Sequence, residues 1–426
     1  MECLKKRDNK QEPILRRMNM ESGKKRDLAA LAFIPLVMTL ANSMLVPVLP
    51  QIEKSLGIND LKSSMIITVY SIASIVLIPV AGFLSDKFGR KKVMVPSLII
   101  TGTGGLLSGL SALLFKNPYG WILAGRILQG IGASGAFPVV IPCVGDMFRE
   151  EADVSKGLGI IETANTVGKV LSPILGAALG LLAWYVPFLA IPVLSGMAAF
   201  FIIIWVKVKK GEDETQKKKF GEFMKELGGV FREKGKWLYP IFLMGFICMF
   251  VHFGDLFYLS SILEDKYGFE GVLKGLLMAI PLLFLSIASF VTGGKIGSKK
   301  VLMKWIAFAG SLLTAVSVAW IGFVQNLVLI MAIFSVASTG IGCALPCLDS
   351  LITEGIRKEH RGTISSIFSG ARLVGVALGP PAISLLLGWN LILAFVVLAG
   401  TAVVSALAAL FFIKPGNGGK TQGESP

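Results

Sequence analysis

Charge is scarce in this sequence: 16% of its 426 residues are Asp, Glu, Lys or Arg, against about 25% in a soluble globular protein. Hydrophobic residues make up 54%, and they come in long blocks, each near the roughly 20 residues that a helix needs to cross a bilayer. A soluble fold is therefore excluded. Cysteine is sparse as well. Cys3, Cys143, Cys248, Cys343 and Cys347 form no C-x-x-C pair, so neither a disulfide framework nor a zinc site is expected. No phosphate-binding P-loop occurs, and no nucleophile, base and orienting residue fall into a recognisable motif, so the chain is not expected to be an enzyme. The first 27 residues are too charged to hold the apolar centre of a signal peptide. The first hydrophobic segment is expected to stay in the mature chain.

The formal net charge is +15, which would suit a nucleic-acid binder only if the cations shared one face. They fall instead between the apolar blocks. Twelve spans are expected at about 28–50, 64–84, 93–114, 121–144, 158–182, 186–206, 237–259, 271–293, 301–323, 327–348, 362–387 and 389–413. Lys and Arg crowd the N-terminal tail and the even-to-odd connections, whereas the opposite side carries only Lys54, Lys62, Lys116, Lys266 and Lys274. The positive-inside rule then puts both termini in the cytoplasm, in a bacterial inner (plasma) membrane. The expected organisation is a tail (1–27), a six-helix bundle (28–206), a charged soluble connector (207–236), a second six-helix bundle (237–413) and a tail (414–426).

The two halves repeat each other. FGRKKV at 88–93 aligns with IGSKKV at 296–301, PCVGD at 142–146 with PCLDS at 346–350, and Gly168-x-x-x-Ser172-Pro173 with Gly375-x-x-x-Gly379-Pro380, all at nearly one offset. A duplicated bundle with a cavity between its halves suits alternating access.

Between spans 2 and 3 stands Gly82-x-x-x-Asp86-Lys87-x-Gly89-Arg90-Lys91-Lys92, read as a tight turn needing glycine, with one acid among cations. It resembles the loop signature of the major facilitator superfamily, although Lys87 replaces the family's usual Arg. The resemblance implies that Asp86 locks the halves together at the cytoplasmic face, against Arg361 and the helix start near Gly362 and Thr363. In span 4, Arg126 needs protein or water around it, since a charge inside a span costs about 2.5–3.5 kcal/mol. It either serves function or snorkels to the nearby outer boundary. Arg126-x-x-Gln129-Gly130 resembles the fourth-helix motif of proton-coupled members, which implies a part in proton coupling. Gly130-x-Gly132-x-x-Gly135 matches a dinucleotide fingerprint in letters only. These glycines lie inside a span and are expected to serve helix packing.

Span 5 carries Gly168, Ser172, Pro173 and Gly176, which resemble the fifth-helix signature of the twelve-helix drug:proton antiporters, with Ser172 and Ala177 in place of glycines. Glu162, Asn165 and Lys169, spaced i, i+3, i+7, share one helical face and are expected to line the cavity. Asn42 of span 1, His252 of span 7 and Arg372 of span 11 are placed there too. Arg372 aligns with Asn165, so two deep cations, Lys169 and Arg372, face one cavity with Glu162 and Asp255 as counter-ions. That group is either functional or a structural ion pair. His252 and Asp255 form either a local structural pair or a proton site.

The expected protein is thus an all-α membrane protein of major facilitator type that exports small amphipathic molecules in exchange for protons. Arg126, Glu162 and Asp255 are the candidates for proton coupling. Lys169 and Arg372 also suit an exporter of an organic anion such as a siderophore, and an uptake symporter shares the fold. The expected partners are a small-molecule substrate, protons and the lipid bilayer, with no nucleic acid and no second subunit. The energy source is the proton gradient, without cofactor or metal.

Overall fold

Proline and glycine decide where the first helices break. The structure is a computed structural model that describes residues 22–148, 151–206, 220–297, 299–356 and 358–413. Helix α1 (Ser22–Ser43) passes through a 3-10 turn at Val46–Val48 into a short helix, Leu49–Leu56, which Gly57 ends at φ +63°. Pro50 has no N–H, so the Val46 carbonyl four residues before it loses its α-helical donor. That carbonyl and its neighbour on Pro47 are both taken up by the second half of the chain, as described below.

Helix α2 (Asp60–Phe88) is capped by Asn59, whose side chain accepts from the backbone N–H of Lys62 at 3.0 Å. It is followed by α3 (Arg90–Leu114), α4 (Tyr119–Met147), α5 (Glu151–Gly180) and α6 (Val186–Trp205). The second half comprises α7 (Phe220–Asp265), α8 (Gly271–Ile296), α9 (Lys300–Ile321), α10 (Leu327–Gly355), α11 (Lys358–Leu387) and α12 (Leu391–Phe412). Among the described residues, eleven helices, the first of them α1 with its continuation to Leu56, are long and apolar enough to cross a membrane. The twelfth, α5, has 30 residues, about 45 Å at 1.5 Å per residue, but its Glu162, Lys169 and small polar residues lower its hydropathy. Helix α7 starts at Phe220, inside the stretch read as a charged soluble connector. Lys, Glu, Arg, Leu and Met are good helix formers whatever their polarity, so charge there marks the end of the membrane and not of the helix. Residues 1–21, 207–219 and 414–426 lie outside the described residues, and α1 begins within the stretch read as the N-terminal tail.

Small residues bring the helices together. A Cβ at Gly130 would collide with the Tyr70 carbonyl of α2, and one at Gly132 would meet the Ser97 carbonyl of α3 at 2.5 Å. These glycines are helix-packing residues, as expected. In α5, a Cβ at Gly176 would strike the Met44 carbonyl, and in α11 a Cβ at Gly375 would strike that of Phe246. The α5–α1 packing is thereby repeated as α11–α7 in the second half. Large apolar side chains such as Val76, Val193 and Phe290 are exposed on the outer surface, where lipid would cover them.

The buried apolar residues fall into unequal groups. One cluster, around Met38, Tyr70, Val140 and Ile202, belongs to the first half alone. Another, around Leu238, Met303, Leu348 and Phe368, belongs to the second alone. The largest joins Leu49, Ile66 and Phe188 of the first half to Phe257, Met278 and Ile383 of the second. The halves therefore share a core only at the end away from the termini, here called the distal face. Toward the terminal face each half has its own.

Candidate functional site

A cavity of about 390 Å³ lies between the halves, within the usual range for small-molecule sites. Helices α1, α2, α4 and α5 wall it on one side and α7, α8, α10 and α11 on the other. All five residues placed there from sequence, Asn42, Asn165, Lys169, His252 and Arg372, line it, as does Glu162. Most of the remaining wall is apolar, including Met249, Phe253, Leu282 and Leu373. A ligand here meets an oily chamber with a few placed charges.

Those charges are paired loosely. Lys169 Nζ stands 4.0 Å from Glu162 Oε1, and Arg372 Nη1 stands 3.6 Å from Asp349 Oδ2. Neither separation is a good hydrogen bond. Asn165 is bound more tightly, accepting from Thr39 Oγ1 at 2.6 Å and donating to Glu162 Oε1 at 3.2 Å. The Glu162 and Asp349 side chains are 56% and 51% exposed, so the cavity is wet toward the terminal face.

Asp255 departs from its expected place. It is buried but does not line the cavity, its Oδ1 has no hydrogen-bond partner, and among the described residues no hydrogen bond or ion pair joins it to His252. Side chains three apart on a helix differ by about 60° around the axis, and that is enough to turn His252 into the cavity and Asp255 out of it. Glu162 stands beside Lys169 as one of the expected counter-ions, whereas in place of Asp255 the acid beside Arg372 is Asp349, which the sequence reading left beyond the end of span 10. Its signal was the PCLDS copy of PCVGD, which carries an acid in both halves.

Arg126 does not snorkel. Its side chain is fully buried behind the cavity wall, with Nε donating to the Ile66 carbonyl at 2.8 Å, Nη1 to the Ala41 carbonyl at 3.1 Å and Gln129 Oε1 at 2.5 Å, and Nη2 to Asn42 Oδ1 at 2.9 Å. The guanidinium also lies 4.4 Å from the Tyr70 ring centre. Among the described residues no carboxylate is within ion-pair distance. Helix α4 is thus tied to α1 and α2 by one cation held on neutral oxygens.

At the terminal face, Arg90 holds Asp86 in a close ion pair, donates to Ser85 Oγ at 2.7 Å and reaches Asp146 Oδ2 at 3.0 Å. Lys91 Nζ donates to the Ile203 and Val206 carbonyls at the end of α6 at 2.8 and 2.9 Å. All of these contacts stay within the first half. The side chains of Arg361, Gly362 and Thr363, expected opposite Asp86, lie outside the described residues. Gly89 has φ +100°, which suits glycine, whereas Gly82 lies within α2 with open space where a Cβ would go. The turn needs only the second of them. In α5, Gly168 and Gly176 pack on α1 and Ser172 Oγ donates to the Lys169 carbonyl at 2.9 Å, while the carbonyl of Pro173 lies 2.5 Å from where a Cβ on Gly275 of α8 would stand.

The distal face holds a group that sequence reasoning missed. Lys274 Nζ donates to Glu264 Oε2 at 2.9 Å and to the Pro47 carbonyl at 2.7 Å. Lys54 reaches Glu264 Oε1 at 2.8 Å and Asp265 at 3.1 Å. Ser260 Oγ donates at 2.9 Å to the Val46 carbonyl, which also accepts the Leu49 N–H, and Thr68 Oγ1 donates to the Ala377 carbonyl at 2.6 Å. Apart from that Leu49 bond, each of the contacts made to Pro47, Val46, Lys54 and Thr68 crosses between the halves. The Lys274 and Glu264 side chains are 1% and 2% exposed, so this latch is dry. The available signal was Lys274, a cation one turn inside an apolar span.

Comparison with known proteins fits this architecture. The family model described as Major Facilitator Superfamily matches residues 31–380. The bacillibactin exporter of Bacillus subtilis (strain 168) is 47% identical over 91% of this chain and 96% of its own length. The class C tetracycline resistance protein of Escherichia coli is 26% identical over 79% of this chain and 83% of its own. Among solved structures, a bacterial homolog of the human lysosomal transporter Spinster, inward-facing and unoccupied, aligns with TM-score 0.72 and 16% identity over 93% of this chain and 97% of its own. The human organic anion transporter MFSD10 (TETRAN) aligns with TM-score 0.70 and 18% identity over 92% and 100%. The chain is a multi-pass membrane protein with the fold of these transporters, and it belongs to the major facilitator superfamily.

Proposed function

We propose that this chain is a proton-driven exporter of an organic anion of the siderophore kind, with both termini in the cytoplasm. In that orientation the described conformation is open to the cytoplasm and closed outside, ready to load. The observation that carries the reading is the pair of cations in the cavity. Lys169 and Arg372 each face the chamber with an acid at 4.0 and 3.6 Å, too far to saturate them, so an anionic ligand can take over their hydrogen bonds at little cost. The extent of the likeness to the bacillibactin exporter supports it. Proton coupling rests on the resemblance of the Arg126 motif to proton-coupled members, with Glu162 and Asp255 as the candidate proton carriers.

A broad exporter of drugs is the second reading. Glu162 and Asp349 offset the two cations, and a net-neutral apolar chamber would select by shape. Everted membrane vesicles with an acid interior decide between them. Uptake of bacillibactin that collapses with a protonophore, and falls in Lys169→Gln and Arg372→Gln, is the expected result. Uptake of cationic dyes without bacillibactin would leave only the broader exporter.

A further inference from the structure

Behind the cavity wall, Arg126 is bonded to a residue that the ligand would touch. A guanidinium has donors and no acceptor, so the Asn42 atom 2.9 Å from Arg126 Nη2 has to be the amide oxygen. The choice between the two amide orientations, normally a matter of interpretation, is fixed here by chemistry. The Asn42 amino group then points the other way. It makes no hydrogen bond among the described residues, yet it is absent from the buried side-chain atoms that lack a partner, and Asn42 lines the cavity. Asn42 is 7% exposed, so the amino nitrogen keeps a small accessible surface, and the cavity is the space that Asn42 lines.

From this we infer that Arg126 is a positioning residue that sets the hydrogen-bonding sign of the cavity wall, making Asn42 a donor toward the ligand, so that the site selects oxygen-rich acceptors such as catecholate, carboxylate or ester carbonyl groups. Two features support it. Arg126 cannot let Asn42 rotate without losing its only bond from Nη2, and its other bonds, to Ile66, Ala41 and Gln129, fix it from three sides. Gln129 shows what this arrangement gives up: its oxygen accepts from Arg126, and its Nε2 is left buried without a partner. The polar groups around Arg126 are thus arranged for the guanidinium and not for their own saturation. The wall they build adds a neutral donor to the cations Lys169 and Arg372, whose loosely held acids Glu162 and Asp349 line the same cavity.

This inference rests on the function proposed above and names the contact that recognises its substrate. It is tested by binding to the purified full-length protein in lipid nanodiscs, with bacillibactin and ethidium as the two probes. Asn42→Asp keeps the size of the side chain and its bond to Arg126 but replaces the donor by an acceptor. Bacillibactin affinity is expected to fall about tenfold or more, the scale of one lost hydrogen bond to a charged group, while ethidium affinity holds or rises. Arg126→Lys, which keeps the charge but not the fork, is expected to weaken bacillibactin binding about tenfold alone and less than about twofold in an Asn42→Ala background, because both changes remove one interaction. Equal losses in the two backgrounds, or an unchanged Kd in Asn42→Asp, would overturn the inference while leaving the exporter reading in place. If the unaltered protein bound ethidium but no bacillibactin, the proposed function would fall first and this inference with it.

Discussion

The two ends of this molecule use similar residues in opposite ways. At the distal face, Lys54 pairs with Glu264 across the halves, and Lys274, held in an almost completely dry pair with Glu264 inside the second half, donates across to the Pro47 carbonyl. At the terminal face, Asp86, Arg90 and Asp146 make pairs of the same chemistry, yet these stay within one half, and the Asp86 side chain is 57% exposed. Ion pairs in water are worth about 0–1 kcal/mol, whereas removing one partner of a buried pair costs about 3–5 kcal/mol. The distal latch, in which the dry Lys274–Glu264 pair is completed by the Pro47 carbonyl and Lys54 of the other half, can therefore hold this conformation, whereas the terminal pairs, as they stand here, only arrange a loop. The shared hydrophobic core follows the same division, joined at the distal end and split at the other.

The largest effect should come from breaking the dry pair. Glu264→Ala leaves Lys274 buried without its carboxylate, and opening the distal face is the available relief. At about 3–5 kcal/mol, the population should shift by a hundredfold or more toward a distal-open state, read as labelling of a Ser43→Cys cavity cysteine by an impermeant thiol reagent from that side. Glu264→Gln with Lys274→Met should restore much of the closure, because neutral groups need no partner charge.

A smaller effect separates the cavity from its gates. Arg126→Ala should reduce export at least about tenfold, the equivalent of about 1.4 kcal/mol, with the protein still present in the membrane and labelling from either face within about twofold. Retained export would remove Arg126 from the transport machinery.

Asp86→Asn should act only when the terminal face closes. Labelling of a Ser369→Cys cavity cysteine from the terminal side should rise several-fold as the distal-open state loses its lock, and unchanged labelling would count against a gating part for Asp86. The smallest shift belongs to Lys54→Gln. Its side chain is 58% exposed, so closure should weaken by no more than about 1 kcal/mol, less in high salt. An effect as large as that of Glu264→Ala would erase the distinction between dry and wet pairs.

The sequence reading reached further into the cavity than into its gates, and the reason is physical. Glu162, Asn165 and Lys169 announced themselves by helical spacing, and Arg372 by its place in the repeat. A polar residue in hydrocarbon is conspicuous whatever it touches. The fold was legible for the same reason, since apolar runs and repeated motifs are local signals. The latch was not: Lys54 and Glu264 are far apart in the chain, and hydropathy ended span 7 before Glu264 and span 10 before Asp349, although both helices continue past those points. Where one half of the protein shields a charge, a helix runs beyond the length that hydrocarbon alone would allow.

Spin labels across the halves test the central claim, that the dry distal latch holds this conformation and that the two ends open in alternation. One pair is placed at Lys62→Cys and Phe269→Cys on the distal face, the other at Lys87→Cys and Lys295→Cys on the terminal face, and distances are measured with and without Glu264→Ala in a background lacking the native cysteines. The expected result is that the distal distance lengthens while the terminal distance shortens in the same molecules. A Glu264→Ala protein that folds and keeps both distances, or lengthens the distal one with the terminal one unmoved, would contradict the account.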